Sequence, residues 1–210
     1  MPPTPVVILG AEALGGAYLL RIRLRRGVRL RFGRFQGGRP ISLTAGEYVY
    51  VGSALARPGS AALARRLLRH ATRAGGGSHP VRPVLLQVLR DTGLAPGAMR
   101  PPATKRLHWH VDYLLEHRAA ALIGVVALRT STAREDDLAA LLAAEPRTRM
   151  VARGLGASDA AGQTHLFGVP ADAAWWTGLV GRIAAALVPD AADLCPARLP
   201  VHGCRGILGP

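Results

Sequence analysis

The chain has 210 residues, of which 49% are hydrophobic, so it is apolar enough to bury a core, and an intrinsically disordered protein is excluded. Its formal net charge of +14, from 27 Lys and Arg against 13 Asp and Glu, argues against an enzyme of small neutral molecules. The charge favours a polyanionic partner, most simply nucleic acid.

The sequence also bears on location. Residues 1–10 lack the basic segment and the long apolar run of a signal peptide, and the most apolar stretch, residues 119–128, is too short to span a bilayer. We therefore expect a cytoplasmic protein, associated with the nucleoid if bacterial, with no membrane partner. Cys195 and Cys204 are expected to be ordinary thiols or one incidental disulfide rather than a metal site.

An antiparallel sheet is predicted for the first third of the chain. Residues 15–24 alternate apolar and polar side chains, which predicts a strand with Tyr18 on its apolar side. Arg21 and Arg23 are then expected to face solvent or a ligand. A second strand is predicted over 29–35, between two glycine-containing turns.

A third strand is predicted over 46–51, ending in a tight turn at Gly52 and Ser53. Tyr48 and Tyr50 share one face of it, at the two-residue period of a strand. Two tyrosines in this pattern are in general more often core packing than chemistry. Their meaning depends on the elements that follow.

An amphipathic helix is predicted over 61–73, with leucines on one side. Its other side is basic, and Arg66 and His70 are neighbours there because they are four residues apart. This basic face is either a solvated surface or a binding surface. Its members are Arg65, Arg66, Arg69, His70 and Arg73.

Residues 74–104 are rich in glycine and proline and are interpreted as an insertion with one short helix over 84–89. His108, His110 and Asp112 follow closely. They share a face in a strand, and His108 and Asp112 share one in a helix, so either geometry permits a His–Asp hydrogen bond. A structural network around a buried tryptophan and a catalytic pair both remain open.

The next elements are a buried strand over 121–128 and a helix over 133–144. The Thr-Ser-Thr run at 130–132 together with Glu135 predicts a capping box at the start of this helix. Asp136 and Asp137 also lie in its first turn, where acids complement the helix dipole. The pattern does not tell which of the three acids faces inward.

The last part of the chain has a loop with Ser158 and Asp159, a strand over 164–168 that includes His165, and a helix capped by Asp172. The apolar stripe of this helix contains two tryptophans, which predicts packed core rather than membrane binding.

The order of these features resembles the GIY-YIG nuclease superfamily. Gly16-Ala17-Tyr18 stands in the place of the first motif, Tyr50-Val51-Gly52 in that of the second, and a helix with Arg66 and His70 follows. A strand and a helix that carries Glu135 complete the pattern, over residues 15–144. The runs 46–54 and 108–115, and the late Ser-Asp and Thr-His-Leu-Phe, resemble an uncharacterised branch also found joined to endonuclease III-type repair proteins.

The resemblance implies an α+β fold with a small central antiparallel sheet flanked by helices. Residues 1–170 would form the nuclease domain, with the insertion at 74–104, and residues 171–210 a helix and tail packed on it. It implies a metal-dependent endonuclease that hydrolyses phosphodiester bonds in structured or damaged DNA, as a monomer or weak homodimer. DNA is preferred by analogy alone, and RNA is not excluded.

The resemblance also implies roles for five residues. Tyr18 would act as general base or orient the attacking water, and Tyr50 would hold that water. Arg66 would contact the scissile phosphate, Glu135 would bind one Mg²⁺ or Mn²⁺, and His70 would assist proton transfer or bind phosphate. A phenol with a pKa near 10 is a weak base at pH 7, so Tyr18 requires nearby positive charge that lowers its pKa.

Further residues are candidates with less defined roles. Tyr48 would support the site or contact DNA, and Asp112, Asp136 and Asp137 are alternatives to Glu135 as metal ligand. The predicted DNA-binding residues are Arg65, Arg69, Arg73, Lys105 and Arg106. The secondary site candidates are Tyr48, His108, His110, Asp112, Ser158, Asp159 and His165.

Three departures from the family pattern stand out. The interval from Tyr18 to Tyr50 is long, so an extra hairpin is expected between them. The insertion separates the basic helix from the rest, and Ala160 and Gly162 stand in the loop where the branch usually has cysteines.

Two rival functions are open. One is a non-catalytic nucleic-acid-binding module that retains the fold and the arginines. The other is a metal-independent repair enzyme acting on a base or abasic site, with His110 and Asp112 as its working pair.

Overall fold

A computed structural model describes residues 3–11, 13–55, 61–95, 99–156 and 164–188. The strands are β1 (Val6–Leu9), β2 (Gly16–Leu24), β3 (Val28–Leu30), β4 (Ile41–Leu43), β5 (Gly46–Ala54), β6 (Ala120–Arg129), β7 (Arg149–Met150) and β8 (Leu166–Val169). The helices are α1 (Ala62–His70), α2 (Arg82–Asp91), α3 (His110–Glu116), α4 (Glu135–Ala144) and α5 (Ala173–Leu187), and a short 3₁₀ turn spans Phe35–Gly38.

Six strands form one sheet in the order β1-β6-β2-β5-β8-β7, and β3 and β4 form a separate hairpin. The pairing of β1 with β6 is parallel and all other pairings of the described strands are antiparallel. The structure therefore confirms the predicted α+β class, with a mainly antiparallel central sheet between helices.

The alternation along β2 and β5 sorts their side chains onto two faces of the sheet. Tyr18 and Tyr50 lie on one face, where α1, α2 and α3 pack their leucines. Leu19 and Val49 lie on the other, where α4 and α5 pack. The candidate tyrosines thus lie in the layer between the sheet and α1, and that layer contains the site.

The extra hairpin expected between Tyr18 and Tyr50 is β3–β4, but its first strand is shorter than predicted. The prediction over 29–35 is wrong beyond Leu30, because Gly33 takes a left-handed φ of 59° and the chain enters the 3₁₀ turn. A side chain at Gly33 would meet the Tyr113 hydroxyl at 2.9 Å. The chain thus passes close to α3 where the predicted strand would have continued.

Arg21 does not face solvent or a ligand as predicted. It is 7% exposed and donates from Nε to Glu47 at 2.6 Å, while Arg23 binds the second oxygen of the same carboxylate at 2.9 Å. The guanidinium of Arg21 also lies 4.9 Å from the centre of the Trp176 ring. The face of the sheet that packs against α4 and α5 therefore contains a buried, hydrogen-bonded ion pair.

Two predictions about helices are confirmed, and the predicted capping box of a third helix is wrong. The helix predicted within the insertion is α2, and its Leu85 and Leu89 are fully buried in the core. The Asp172 side chain caps α5 by accepting from two backbone N–H groups, the nearer at 2.9 Å. The capping box at 130–132 is absent, because α4 begins at Glu135 without a side-chain cap.

Within the described residues, none of the helices is both long and apolar enough to cross a membrane. Cys195 and Cys204 lie outside those residues.

One buried imidazole leads to a prediction about acid stability. His79 is 1% exposed and its Nδ1 accepts from the backbone N–H of Leu122 at 3.1 Å. Burial, with help from the positive charge of Arg73, lowers the pKa of His79 from 6.5 to about 3. Below pH 6.5, His79 binds a proton in the unfolded chain but stays neutral in the folded chain. His79 therefore destabilises the fold as the pH falls from 6.5 towards 3.

We expect His79→Asn to reduce this pH dependence, because the asparagine oxygen can accept the same hydrogen bond without titrating. The slope of unfolding free energy against pH between 6 and 4 should fall by about 1.4 kcal/mol per pH unit. Urea unfolding at several pH values measures it, and the pH 7 value reports the cost of the substitution itself. Equal slopes in the two proteins would contradict the prediction.

Candidate functional site

A buried hydrogen bond joins strand β2 to helix α1. The hydroxyl oxygen of Tyr18 lies 2.9 Å from Nε2 of His70, and the two ring centres are 5.7 Å apart. Tyr18 is 1% exposed and His70, the last residue of α1, is fully buried. The predicted proximity of these two side chains is therefore present.

Asp112, in the first turn of α3, lies behind His70. Its Oδ1 is 3.5 Å from Nδ1 of His70, a contact longer than an ordinary hydrogen bond. Arg69 donates to both carboxylate oxygens, at 2.9 and 3.0 Å, and the backbone N–H groups of His108 and Trp109 donate to Oδ2. A fully buried carboxylate is thus held in one position beside the imidazole.

The charge states of Asp112 and His70 follow from their burial and their contacts. Burial opposes ionisation of Asp112, but the close contact with His70 and the hydrogen bonds from Arg69 outweigh it and hold its pKa well below the usual range. Burial lowers the pKa of His70 to about 4, so the imidazole is neutral at pH 7. Because ionised Asp112 can only accept, it favours the proton on Nδ1 and leaves Nε2 to accept from Tyr18.

The described fold does not by itself lower the pKa of the Tyr18 phenol. Burial raises its pKa above 10, and the nearby positive charge of Arg66 opposes this shift without reversing it. The pKa of Tyr50 is also raised, by burial first and then by Tyr18. Both tyrosines are therefore protonated phenols at neutral pH.

Tyr50 and Gly52 explain why the second motif has its composition. The ring of Tyr50 lies 6.4 Å from that of His70. Gly52 faces Tyr18 across the β2–β5 pairing, and a Cβ there would lie 2.6 Å from the Tyr18 hydroxyl. Only glycine lets the phenol lie against the strand, so this position fixes where the hydroxyl points.

Glu135 is the acid of α4 that turns inward. Its Oε1 lies 2.9 Å from Nδ1 of His165, and its Oε2 accepts a hydrogen bond from the Ser53 hydroxyl. Burial opposes ionisation, but His165 and Ser53 prevail and lower the pKa of Glu135. Asp136 and Asp137 are exposed, so the structure distinguishes among three acids that the sequence left equivalent.

Glu135 is the candidate ligand for Mg²⁺ or Mn²⁺. Among the described residues there is no group of three or more His, Cys, Asp or Glu that could hold a metal ion. Mg²⁺ is often held by one or two carboxylates, with water and substrate phosphate completing its octahedron. Ionised Glu135 has free lone pairs for that arrangement, so it fits a one-carboxylate site.

Trp109 organises the basic side of the site. The guanidinium of Arg66 lies 3.7 Å from the centre of the indole ring and that of Arg69 lies 4.3 Å from it. Arg69 is engaged by Asp112, whereas Arg66 is half-buried and makes no side-chain ion pair with the described residues. Arg66 is therefore the stacked arginine that remains available to a ligand.

Three of the predicted DNA-binding residues have structural partners instead. Arg69 binds Asp112, and Arg73 donates to the backbone oxygens of Leu115 and Ala120, which fixes the end of α3. The ammonium of Lys105 is buried and lies 2.9 Å from Glu116.

The donors of these three residues are used within the fold, and their predicted contact with DNA stays a prediction. Arg65 and Arg106 are exposed, and their predicted role stays a prediction.

The His–Asp side-chain hydrogen bond that the sequence permits within 108–112 is not formed among the described residues. His110 accepts at Nδ1 from the backbone N–H of Gly156 at 3.0 Å, and the side chain of His108 is exposed against Trp109. The imidazole that reaches Asp112 is His70, from another helix.

The other secondary candidates divide as follows. Tyr48 is buried and donates to the backbone oxygen of Thr44 at 2.7 Å, which agrees with a supporting role. His165 contacts Glu135, while Ser158 and Asp159 lie outside the described residues. Ser53 was not a candidate, although its place directly after the second motif was a usable signal.

Comparison with known proteins gives one match. The sequence model of a family described as a domain of unknown function, DUF123, matches residues 17–179, which is more than half of the chain and includes the whole site. A search of curated proteins and a search of solved structures both give no match.

Proposed function

The chain belongs to the DUF123 family, and because that membership assigns no activity, we propose from the site that the protein is a GIY-YIG-type endonuclease. It would hydrolyse phosphodiester bonds of structured or damaged DNA with the help of Mg²⁺ or Mn²⁺, as in DNA repair. The observation that carries the proposal is the buried row from Asp112 through His70 to Tyr18, which ends beside Arg66 and Glu135.

Tyr18 and His70 would remove the proton from the attacking water together. A phenolate at Tyr18 is scarcely populated at pH 7, because burial raises its pKa. The phenol can instead take the water proton while passing its own to Nε2 of His70, over the 2.9 Å hydrogen bond. Asp112 then stabilises the imidazolium that forms, as a buried carboxylate does in hydrolytic triads.

Arg66 and Glu135 supply the complementary charges. The Arg66 guanidinium is planar, so it can bind two oxygens of the scissile phosphate, and its stacking on Trp109 limits its orientations. Glu135 would hold the metal ion, which when bound neutralises charge on the phosphoryl and leaving oxygens. Ser53 and His165 keep the Glu135 carboxylate ionised and fixed in orientation.

Glu135→Gln tests the metal role. The amide retains the size of the side chain but loses the negative charge, so cleavage should fall by about 100-fold or more, and the Mg²⁺ midpoint should rise. The assay is a screen of flapped, branched, abasic and plain duplex DNA, with Mg²⁺, with Mn²⁺ and with EDTA.

Asp136→Asn is the matched control, because it removes one negative charge from the next, exposed position of α4. Its activity should equal that of the unmodified chain. Full cleavage in EDTA would rule out the metal-dependent proposal. DNA binding with steep salt dependence but no cleavage of any substrate would instead identify a binding module.

A further inference from the structure

The hairpin that separates Tyr18 from Tyr50 is strongly basic. We define the basic hairpin as residues 23–39. This segment includes strand β3, which pairs with β4 directly after it. This stretch has no Asp or Glu, and its arginines are all exposed. They are Arg23, Arg25, Arg26, Arg29, Arg31, Arg34 and Arg39.

Most of these guanidinium groups have no role in holding the described fold together. Arg23 pairs with Glu47, and Arg25 donates to the backbone oxygen of Arg118. The others make no side-chain hydrogen bond or ion pair with any described residue. They are Arg26, Arg29, Arg31, Arg34 and Arg39. Arg69 and Arg73, by contrast, have all their contacts inside the protein.

Crowded like charges repel one another and lower the stability of the folded state, so this arrangement needs a compensating role. A nucleotide-composition bias can account for arginine in place of lysine, but it does not account for the lack of acids. The nearest acid along the chain, Glu47, is already paired with Arg21 and Arg23. The positive field of the basic hairpin therefore extends into solvent.

The basic hairpin lies next to the candidate site. The ring of Phe35 packs edge-on against His110, with ring centres 5.4 Å apart. His110 accepts from the backbone of Gly156, where a Cβ would lie 3.2 Å from the Tyr50 ring. The hairpin is thus joined to Tyr50 through two packed residues and lies on the flank of the candidate site.

We propose that the basic hairpin is a docking surface for the phosphate backbone of duplex DNA, on the flank of the bond presented to Tyr18. Duplex DNA carries one negative charge per about 1.7 Å of its axis, which suits a row of exposed arginines. Since these arginines contact phosphates rather than bases, they contribute affinity and orientation without sequence preference.

An anionic membrane surface is the less suitable polyanion. Interfacial binding also requires apolar side chains that insert between lipids. The exposed large hydrophobic residues of the described chain all lie outside the basic hairpin, whose own large apolar side chains are buried or half-buried. The exposed hydrophobic residues outside the hairpin are Leu55, Val84, Leu107 and Met150.

The inference rests on the proposed function for the choice of DNA as the polyanion. Its test is therefore a measurement of DNA binding in a variant whose cleavage activity is strongly reduced. In the Tyr18→Phe background, Arg26, Arg29 and Arg31 are changed together to Gln. The charge-matched control changes Arg90 in α2, Arg134 directly before α4 and Arg182 in α5 to Gln, which lowers the net charge equally at sites outside the basic hairpin. Binding of a labelled duplex DNA of mixed sequence is measured over a range of salt concentrations.

The hairpin variant should bind at least about tenfold more weakly at low salt, with a slope of log K against log[salt] shallower by about 3, since each phosphate contact contributes about 0.9. The control variant should keep the parental slope within about 1. The melting temperature of the hairpin variant should not fall, because its three arginines make no side-chain bonds within the described fold and their removal relieves like-charge repulsion.

Equal slopes in the hairpin and control variants would overturn the inference. So would the absence of duplex binding in the parent protein, or hairpin-dependent binding to vesicles with anionic lipid but not to DNA. If the predicted slopes are found and no DNA is ever cut by the unmodified chain, the docking surface stands and the proposed nuclease function fails.

Discussion

Replacing Tyr18 with phenylalanine is expected to lower the rate of DNA cleavage by about 10²–10⁴-fold, the usual contribution of a general acid–base group. The hydroxyl is the only group lost; it lies 2.9 Å from Nε2 of His70, and in the proposed mechanism it would pass a proton from the attacking water to that nitrogen. The ring remains packed against Gly52, so the geometry around the missing oxygen should be retained. The free energy of unfolding should fall by about 1–3 kcal/mol, because Nε2 of the fully buried His70 loses its hydrogen-bond partner.

Tyr48→Phe is the matched control for Tyr18→Phe. It removes a phenol that is equally buried, on the same face of the sheet, and that donates to Thr44 instead of to His70. It should cost similar stability and leave cleavage unchanged. Single-turnover cleavage with saturating enzyme measures the chemical step, and comparable rates in the two variants would show that the Tyr18 hydroxyl has no catalytic role.

The sequence predicted the elements whose periodicity is local. β2 and β5 alternate at the period of two, β6 is a continuous apolar run, α4 follows a capping-type sequence and α5 has an apolar stripe, so each was found within a few residues of its bounds. The four-residue strand β1 was not predicted, because a segment this short is defined by its parallel pairing with β6, more than 110 residues away in the chain. Such pairings leave no local pattern.

The composition of the insertion obscured the role of α2. Glycine and proline at both ends of 74–104 are typical of an appendage. However, Leu85 and Leu89 lie in the same hydrophobic core as Tyr18. Proline at the first turn of α2 is compatible with helix there, since that N–H has no intrahelical partner.

Within the site, the order of motifs identified side chains better than it identified their partners. Tyr18, His70 and Tyr50 do lie in one layer, as the resemblance implied. Asp112 was paired with its sequence neighbours, whereas folding brings it to α1, 42 residues earlier. The raised pKa of Tyr18 was not foreseen either, because burial causes it, and the sequence contains no direct measure of burial.

Asp112→Asn is expected to be the most destabilising single substitution near the site. Asp112 is fully buried and accepts two hydrogen bonds from Arg69 and two from backbone N–H groups at the start of α3. An amide has one acceptor atom in place of two and no charge, so Arg69 loses half of its contacts and its counterion. Removing one partner of a buried ion pair costs about 3–5 kcal/mol.

For a chain of this length, that loss lowers the melting temperature by about 6–20 °C. Asp137→Asn is the control, because Asp137 is an exposed carboxylate that pairs with Arg134 at 2.9 Å. An exposed pair is worth about 1 kcal/mol at most. Equal melting temperatures in the two variants would show that the carboxylate of Asp112 is not needed to hold α1 and α3 together.

The same variant separates the structural from the chemical role of Asp112. At a temperature where Asp112→Asn remains folded, imidazolium formation at His70 lacks its stabilising charge, so kcat should fall while KM for DNA changes little. A purely structural role predicts the parental kcat once the protein is folded. The outcome therefore decides whether the charge of Asp112 contributes to proton transfer through His70 or only to the packing of α3 on α1.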